Sequence, residues 1–381
     1  DVNLQNLGTQ KLGDMEIEVI DPISVYTEMM ENLFDFDAIK KLFKSGFTMV
    51  FDAMNAVTGP YALKIFEEIL GAPKGSVRNF IPKPDFGGLH PDPNLIYAKS
   101  LVDFMYSDNG PDFGAANDGD GDRNMILGRK FFVTPSDSLA ILTDNYKYIP
   151  AYKNGIYGVA KSAATSTAVS RVAKALNIGY YEVPTGWKYF CNLMDSNRIT
   201  FCGEESFGTG SSHIREKDGI WAVLFWLNII AATGKSVEQI TRDFWKKYGR
   251  SYYLRFDYEG IDTAVADKLM ADLEAKLPSL NGKTFGKYTV SNAAPFIYND
   301  PVDGSSTKNG LIISFTDGSR IVYRLSGTGT NGATLRVYLE AYETENLNAE
   351  PLTMLKPIAQ IASEIAEISK RTGKTMADVT T

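Results

Sequence analysis

Asp112-Phe-Gly-Ala-Ala-Asn-Asp-Gly-Asp-Gly-Asp-Arg123 decides how this chain is organised. Asp112–Ala116 reads as a strand, and Asn117–Arg123 follows it with carboxylates at every second position, spaced by glycines. Unpaired carboxylates that close repel and raise one another's pKa. A bound cation is the simplest way to keep Asp118, Asp120 and Asp122 all ionised. The ligands are hard oxygens with no His or Cys beside them, which suits Mg²⁺, Mn²⁺ or Ca²⁺ and argues against zinc. An EF-hand fails on position: counted from Asp118, the sixth residue should be Gly and is Arg123, and the twelfth should be Glu and is Arg129. The bland alternative is a solvated acidic turn, since alternating Asp-Gly also builds ordinary loops. Arg123, directly after the third aspartate, suits a phosphate ligand beside a metal better than bulk water.

Working outward, strands alternate with helices. Phe47–Met54 is a strand, Pro60 sits in the first turn of a helix ending at Gly71, Ser76–Ile81 is a strand and Asn94–Tyr106 a helix. That alternation indicates βαβ units and a mainly parallel sheet, with Asp118 just past a strand's C-terminal end, where open α/β sheets bind ligands. Upstream, Pro22–Phe43 is helical in two pieces broken around Asp35–Asp37. Met15–Ile20 alternates like a strand, and residues 1–14 are polar and irregular, like a tether from another domain. Downstream of Pro135 the pattern restarts. It gives helices over Asp137–Tyr146 and Thr165–Leu176, strands over Gly155–Ala160, Gly179–Val183 and Ile199–Cys202, and helices over Asp218–Ala232 and Ser236–Tyr248. Beyond Tyr248 the style changes: Leu311–Thr316, Arg320–Leu325 and Thr334–Tyr342 alternate as strands, the first two joined antiparallel by the tight turn Asp317–Ser319. A last helix, Pro351–Lys370, places Leu352, Leu355, Ile358, Ile361, Ile365 and Ile368 on one face. The expected fold class is α/β: two successive α/β domains with mainly parallel sheets, residues 15–134 and 135–248, then an α+β domain with an antiparallel sheet, residues 249–381.

Bulk properties narrow the function. The 381 residues are 44% hydrophobic and 22% charged, as in globular proteins, and a net charge of −7 disfavours a nucleic-acid surface. Cys191 and Cys202 make no disulfide framework, no signal peptide is visible, and Ile220–Ala232 is too short to span a bilayer and contains Asn228. These features lead us to expect a cytoplasmic protein with a buried helix at Ile220 and no transmembrane segment.

Three further loops carry more polarity than packing needs. Arg324-Leu-Ser-Gly-Thr-Gly-Thr-Asn-Gly332 contains a formal G-x-G-x-x-G at Gly327, Gly329 and Gly332. A dinucleotide site requires a helix next, and a strand from Thr334 follows. What survives is a donor-rich loop between Arg324 and Arg336, a phosphate cradle, with a long hairpin loop as the plain alternative. In Cys202-Gly-Glu-Glu-Ser-Phe-Gly208, an extended chain would point Glu204 and Ser206 to one side, suiting sugar hydroxyls; a surface turn is an equal alternative. In His213-Ile-Arg-Glu-Lys-Asp-Gly219, Arg215 and Lys217 precede a helix N-terminus whose dipole they oppose, an arrangement that an anion between the two cations and the helix end would reconcile. His213 and His90 read as structural. Thr185-Gly186 leads into Trp187 and Lys188, where Trp187 either stacks on a ligand or joins the core. Together the loops specify a sugar with a phosphate at one end, held against a divalent cation.

In this order the motifs resemble those of the α-D-phosphohexomutase family, most closely its eukaryotic phosphoglucomutase branch with parafusin-like relatives, over about Met15 to Thr381. The resemblance implies four domains around a cleft, a phosphoserine near Mg²⁺, and interconversion of glucose 1-phosphate and glucose 6-phosphate through glucose 1,6-bisphosphate. Asp118, Asp120 and Asp122 would hold the metal, and Arg123 would steady the phosphoserine or substrate. Glu204 and Ser206 would grip sugar hydroxyls, with contacts from Thr185 and Gly186, and Lys217 would exchange protons with the sugar oxygens. Arg324, Ser326, Gly327, Thr328 and Arg336 would bind the phosphate not being transferred. One departure matters: the family's nucleophile sits in a Thr-Ala-Ser-His-Asn-type loop of an N-terminal domain. The closest imitation here, Ala164-Thr-Ser-Thr-Ala168, lacks the His and lies where the family has an ordinary strand-to-helix turn. The expectation is therefore domains two to four of such a protein. A missing phosphoserine domain would pack against residues 1–20 and the metal loop, and this chain alone would bind metal and sugar phosphate without completing a cycle. The alternatives are a non-catalytic parafusin-like scaffold or phosphoprotein, and a mutase for another hexose such as mannose. Tyr248–Tyr253 is the expected hinge.

Overall fold

The computed structural model describes residues 1–329 and 332–381. The polar opening is not irregular throughout. Gly8–Leu12 (β1) pairs antiparallel with Met15–Val19 (β2) around Gly13, whose φ of 62° a side chain would oppose. The polar run Thr9-Gln-Lys11 hides this first strand from a hydrophobic pattern. Pro22–Leu33 (α1) starts at Asp21, whose carboxylate accepts from the Ile23 and Ser24 N–H groups, and Pro22 fills the position where a helix needs no N–H. Phe36–Lys44 (α2) is separated from it because Asp35 caps the second helix through Ala38 N–H.

Met49–Asp52 (β3), Thr58–Ala62 (α3, continued by a π-turn over Leu63–Ile69), Val77–Arg78 (β4), Lys99–Tyr106 (α4), Phe113–Asn117 (β5), Asn124–Gly128 (β6) and Phe131–Val133 (β7) build the first sheet. Its order is β4-β3-β5-β6-β7: the first three are parallel, and β6 and β7 turn back antiparallel. The acidic run is thus the hairpin connection between β5 and β6. The helix expected from Asn94 starts only at Lys99, because the Asn94 side chain accepts from Ile96 and Tyr97 N–H and makes a turn instead.

The second unit runs Pro135–Asp144 (α5), Gly158–Ser162 (β8), Ala168–Leu176 (α6), Gly179–Val183 (β9), Lys188–Asp195 (α7), Phe201–Gly203 (β10), Thr209–Ser211 (β11), Gly219–Thr233 (α8) and Val237–Tyr248 (α9). Strands β10, β8 and β9 are parallel, and β11 adds antiparallel at the edge. Helix α8 is apolar on every side and is buried from Gly219 to Ile230. Its one polar interior residue, Asn228, accepts from Asp35 N–H at 2.9 Å. Trp221 and Phe225 of α8 join Phe51, Phe66 and Phe113 of the first unit to Val159 and Phe201 of the second in one continuous core. Each such side chain contributes about 2 kcal/mol of burial. Among the described residues no single helix is long and apolar enough to cross a membrane.

The last unit comprises Arg250–Ile261 (β12), Thr263–Lys276 (α10), Thr284–Phe285 (β13), Tyr288–Asn299 (β14), Ser306–Phe315 (β15), Arg320–Gly329 (β16), Gly332–Glu343 (β17), Pro351–Ala366 (α11), Ile368–Thr372 (α12) and Val379–Thr380 (β18). All its pairings are antiparallel, in the order β13-β14-β15-β16-β17-β12-β18. One face packs α10 and α11 through Leu269, Leu273, Ile358 and Ile365 against Ile313, Tyr323 and Val337. Two details differ from expectation. Glu367 is left-handed (φ 51°), so the final helix breaks there and Ile368 begins α12; and Leu352, in the first turn of α11, is 54% exposed rather than on the covering face. The architecture is two mixed α/β sheets with parallel strands followed by an antiparallel sheet.

Candidate active site

The β5–β6 connection is held rigid by its own backbone. Asn117, fully buried, donates from Nδ2 to Arg123 O (2.6 Å), Arg123 N–H donates to Asp118 Oδ1 (3.0 Å), and Gly121 N–H donates to Asp118 O (3.2 Å). Gly121 has φ 80°, and a Cβ there would come within 2.5 Å of the Thr58 methyl. The loop rests on the start of α8: Gly219 N–H donates to Gly121 O (3.0 Å), and a Cβ on Gly219 would collide with the Asn117 side chain. One carboxylate oxygen from each of Asp118, Asp120 and Asp122 lies within 4.8 Å of the others. Burial, with the charges of Asp122 and Asp120 added, pushes the Asp118 carboxyl up to about 7 against the Arg123 N–H that favours its anion. This all-oxygen set fits a hard divalent cation, whose charge would hold all three ionised.

Cations frame the loop. Arg123 stands 3.6 Å from both Asp92 and Asp118 and 3.8 Å from Asp122, and its buried Nε makes no hydrogen bond. Lys217 Nζ meets Asp122 Oδ2 at 2.6 Å, and that contact raises the lysine's pKa although burial opposes it. Gly208 lets the lysine stem pass, since a Cβ there would strike Lys217 Cδ. Lys217 also holds its ammonium 5.6 Å over the Trp187 ring. Asp120, Asp122, Lys217, Thr58 and Tyr61 line a cavity of about 380 Å³.

The Gly203–Gly208 segment is not extended. It closes as a turn with Glu204 N–H on Gly208 O (2.8 Å) and Phe207 at φ 71°, and Asn124 N–H ties it to the metal loop through Phe207 O (2.8 Å). Alternation therefore does not set its side chains. Glu204 Oε1 accepts from Gly186 N–H (3.3 Å). Burial and neighbouring Glu205 raise the Glu204 pKa against the pull of Lys217 and Arg324. Ser206 faces elsewhere, into a cavity of about 310 Å³ shared with Arg123, Glu205, Tyr253 and Arg255. Thr185 Oγ1 and Trp187 Nε1 are buried without a hydrogen-bond partner, while the Trp187 ring packs on Phe190 at 4.9 Å. The anion site expected between the two cations, Arg215 and Lys217, and the end of α8 is not set up. Arg215 turns away to Asp195 (2.6 Å) and Ser212 O (2.9 Å), and Asp218 itself caps α8 through Trp221 N–H. His213 is structural, bonded to Asp218 (2.9 Å) and Ser211 (2.6 Å) and stacked on Trp221, and His90 packs edge-on to Tyr97.

On the last sheet Arg324 of β16 stands directly opposite Arg336 of β17. Like charges in that register repel unless something anionic joins them. Arg324 donates to Tyr338 OH (3.0 Å), and Arg336 lies 3.7 Å from Asp257. Ser326 pairs with Thr334 in register, and Gly327 takes φ 68° where the ladder shifts. The Thr328 side chain lies outside the described part. Three residues that the sequence did not point to join the site, Asp92 beside Arg123, Arg255 in the Ser206 cavity and Asp257 beside Arg336, and Glu205, which by resemblance favours glucose, lines the same cavity as Arg255. The alternation Tyr253, Arg255, Asp257 on β12 was the one available signal for Arg255 and Asp257.

Three family models together match most of the chain: "Phosphoglucomutase/phosphomannomutase, alpha/beta/alpha domain II" over residues 24–130, its domain III over 134–248, and "Phosphoglucomutase-1, C-terminal domain" over 250–378. With relatives at half identity or better along the whole chain, this protein belongs to the phosphoglucomutase/phosphomannomutase family of enzymes. Among those relatives, the phosphoglucomutase of Rhizobium radiobacter is 55% identical over 375 residues, covering 98% of this chain and 69% of that protein. The chloroplastic phosphoglucomutase 1 of Marchantia polymorpha is 50% identical over 397 residues, covering 100% of this chain and 61% of that protein. The open form of the exocytosis-sensitive phosphoprotein pp63/parafusin, a phosphoglucomutase from Paramecium, superposes with a TM-score of 0.92 at 47% identity, covering 100% of this chain and 69% of that one. The chain thus spans 61 to 69% of the length of these relatives.

Proposed function

We propose that this chain supplies the metal, sugar and distal-phosphate binding parts of a phosphoglucomutase that interconverts glucose 1-phosphate and glucose 6-phosphate through glucose 1,6-bisphosphate, which also serves as activator. The observation that carries the reading is how the Glu204 turn is joined: its carboxylate accepts from Gly186 N–H (3.3 Å), and Asn124 N–H ties the turn to the metal loop through Phe207 O (2.8 Å). In this reading residues 15–134 hold the metal, 135–248 the sugar and 249–381 the far phosphate. Asp118, Asp120 and Asp122 would hold Mg²⁺, which when bound supplies charge neutralisation at the phosphate being transferred. Arg123, loosely held, is free to turn toward a phosphate oxygen. Lys217, tied to Asp122, can give or take a proton at a sugar oxygen once a ligand separates the pair. Glu204 and Ser206, with Thr185 and Gly186, fix sugar hydroxyls from two sides. Arg324, Ser326, Gly327, Thr328 and Arg336 take the second phosphate, relieving the Arg324–Arg336 repulsion.

The transferred phosphate would come from a phosphoserine domain docking on the metal loop and residues 1–20, where Leu12, Met15 and Ile20 are exposed apolar groups. A cytoplasmic location is part of the same proposal, resting on two free thiols. Isothermal titration of this chain with Mg²⁺ and glucose 1-phosphate tests the binding half. Turnover after adding a phosphoserine domain, with and without Asp120→Ala, tests the catalytic half. Absence of glucose 1-phosphate binding would sink the sugar-phosphate reading, and equal turnover in both forms would sink the metal assignment. Mannose 1-phosphate turned over as fast as glucose 1-phosphate would overturn the hexose preference.

A further inference from the structure

The loop Ser162–Thr167, which overlaps the serine-loop imitation Ala164–Ala168, sits at none of the ligand positions, yet it touches both ends of the site. On one side Thr165, 1% exposed, accepts Glu205 N–H on Oγ1 (2.9 Å) and bonds Ser162 Oγ (2.7 Å), which in turn donates to Glu205 Oε2 (3.4 Å). This holds the Glu204–Glu205 turn from behind. On the other side the same loop is gripped by the phosphate-binding sheet. Arg320 of β16 donates to Ala163 O (2.9 Å) and to Thr165 O, and Tyr253 OH of β12 donates to Ala164 O (2.7 Å). Glu340 of β17 accepts from both Thr167 N–H (2.9 Å) and Thr167 Oγ1 (2.7 Å). Arg320 and Glu340 are directly paired in register and lie four residues along their strands from Arg324 and Arg336, on the same sheet face.

Resting on the phosphoglucomutase reading, we propose that Ser162–Thr167 is a positioning loop: Thr165 on the sugar side and Arg320 with Glu340 on the phosphate side fix the distance between the sugar-gripping turn and the phosphate-gripping arginines. A ligand that spans both ends needs that distance to be right. A ligand that uses one end does not. The loop makes these bonds through backbone carbonyls, hydroxyls and the Thr167 N–H, and Thr165, Arg320 and Glu340 are each at least nine-tenths buried.

The test separates positioning from general damage. Thr165→Val keeps the shape and removes the acceptor. In this chain it should weaken glucose 1-phosphate by about tenfold, leave inorganic phosphate within about twofold, and be rescued by Thr165→Ser. Equal weakening of both ligands, or of neither, overturns the proposal. An arm independent of ligand is amide exchange: Glu340→Gln, which touches only the phosphate side, should speed exchange across residues 201–208 on the sugar side. Unchanged exchange there overturns the coupling even if the wild-type chain binds no sugar phosphate, a result that would instead sink the function proposed above.

Discussion

Lys217 and a divalent cation claim the same carboxylate. With the ammonium 2.6 Å from Asp122 Oδ2, a metal on the three aspartates must share that carboxylate with a positive charge. Lys217→Met should therefore bind Mg²⁺ a few-fold more tightly, by about 1 kcal/mol of relieved repulsion, while losing turnover in the completed enzyme. Titration calorimetry checks the first effect, and weaker binding would contradict it. Asp120→Asn acts oppositely and should cost more than about tenfold in metal affinity, the loss that even an outer-shell partner inflicts. Protons compete as well. Asp118, pushed up to about 7, ionises late, so metal affinity should climb as pH rises through about 7. The sign for stability follows from linkage: a carboxyl raised above its unfolded value costs folding free energy as pH rises from the unfolded range to about 7. The thermal shift produced by Mg²⁺ should consequently grow over that interval, and a shift independent of pH would remove Asp118 from the ligand set.

Helix α8 does two jobs that two of its glycines separate. Gly234 ends it at φ 66° with nothing near its missing Cβ, so Gly234→Ala strains only the backbone. It should cost about 1 kcal/mol in chemical denaturation and leave metal binding alone. Gly219 begins the helix, where alanine is ordinarily favourable, but here a Cβ would collide with Asn117 and approach Arg123 O at 2.6 Å. Gly219→Ala should displace the metal loop and weaken Mg²⁺ by more than about fivefold, whatever its effect on helix propensity. If the two substitutions change metal affinity alike, the start of α8 is not the floor of that loop.

Across the whole molecule, the last sheet is joined to the second by charge. Lys161 and Arg320 both contact Glu182 at 3.0 Å, and Arg320 also contacts Glu340 at 3.3 Å. Burial works against ionised Glu182, but Lys161 and Arg320 outweigh it and hold its carboxyl at about 2. Lys161 moves the other way for a salt-bridged lysine, down to about 8, because its complete burial and the Arg320 charge outweigh Glu182. Glu182 lies below its unfolded value, so its stabilisation is present above about 4.5 and is lost as pH falls toward about 2. Glu182→Gln should cost about 3 kcal/mol at neutral pH, a gap that closes over that acid range; a pH-independent gap would show that the charge is not what matters. Any opening at the hinge proposed for Tyr248–Tyr253 has to break this junction, together with the Arg171–Ser251 bond at 2.6 Å.

Periodicity and caps were legible in the chain itself. Strand Gly179–Val183, the Asp35 break between α1 and α2, the burial of Ile220–Ile230 and the placing of Asp118 past a strand end all follow from side-chain chemistry acting over a few residues. So did the resemblance, because whole motifs stand in order. Features that depend on distant residues were not legible. The turn at Gly203–Gly208 closes because Asn124 and Arg123 pair with it, defeating the alternation that would have put Glu204 and Ser206 together. Arg215 is claimed by Asp195, twenty residues away, and Lys217 by Asp122, ninety-five residues away. The shared core of the first two sheets and the grip of Arg320 on Ser162–Thr167 belong to the same kind. A local pattern states which face of a strand is apolar, but only the folded chain states which buried polar group will satisfy which, since each must find a partner wherever the packing brings one.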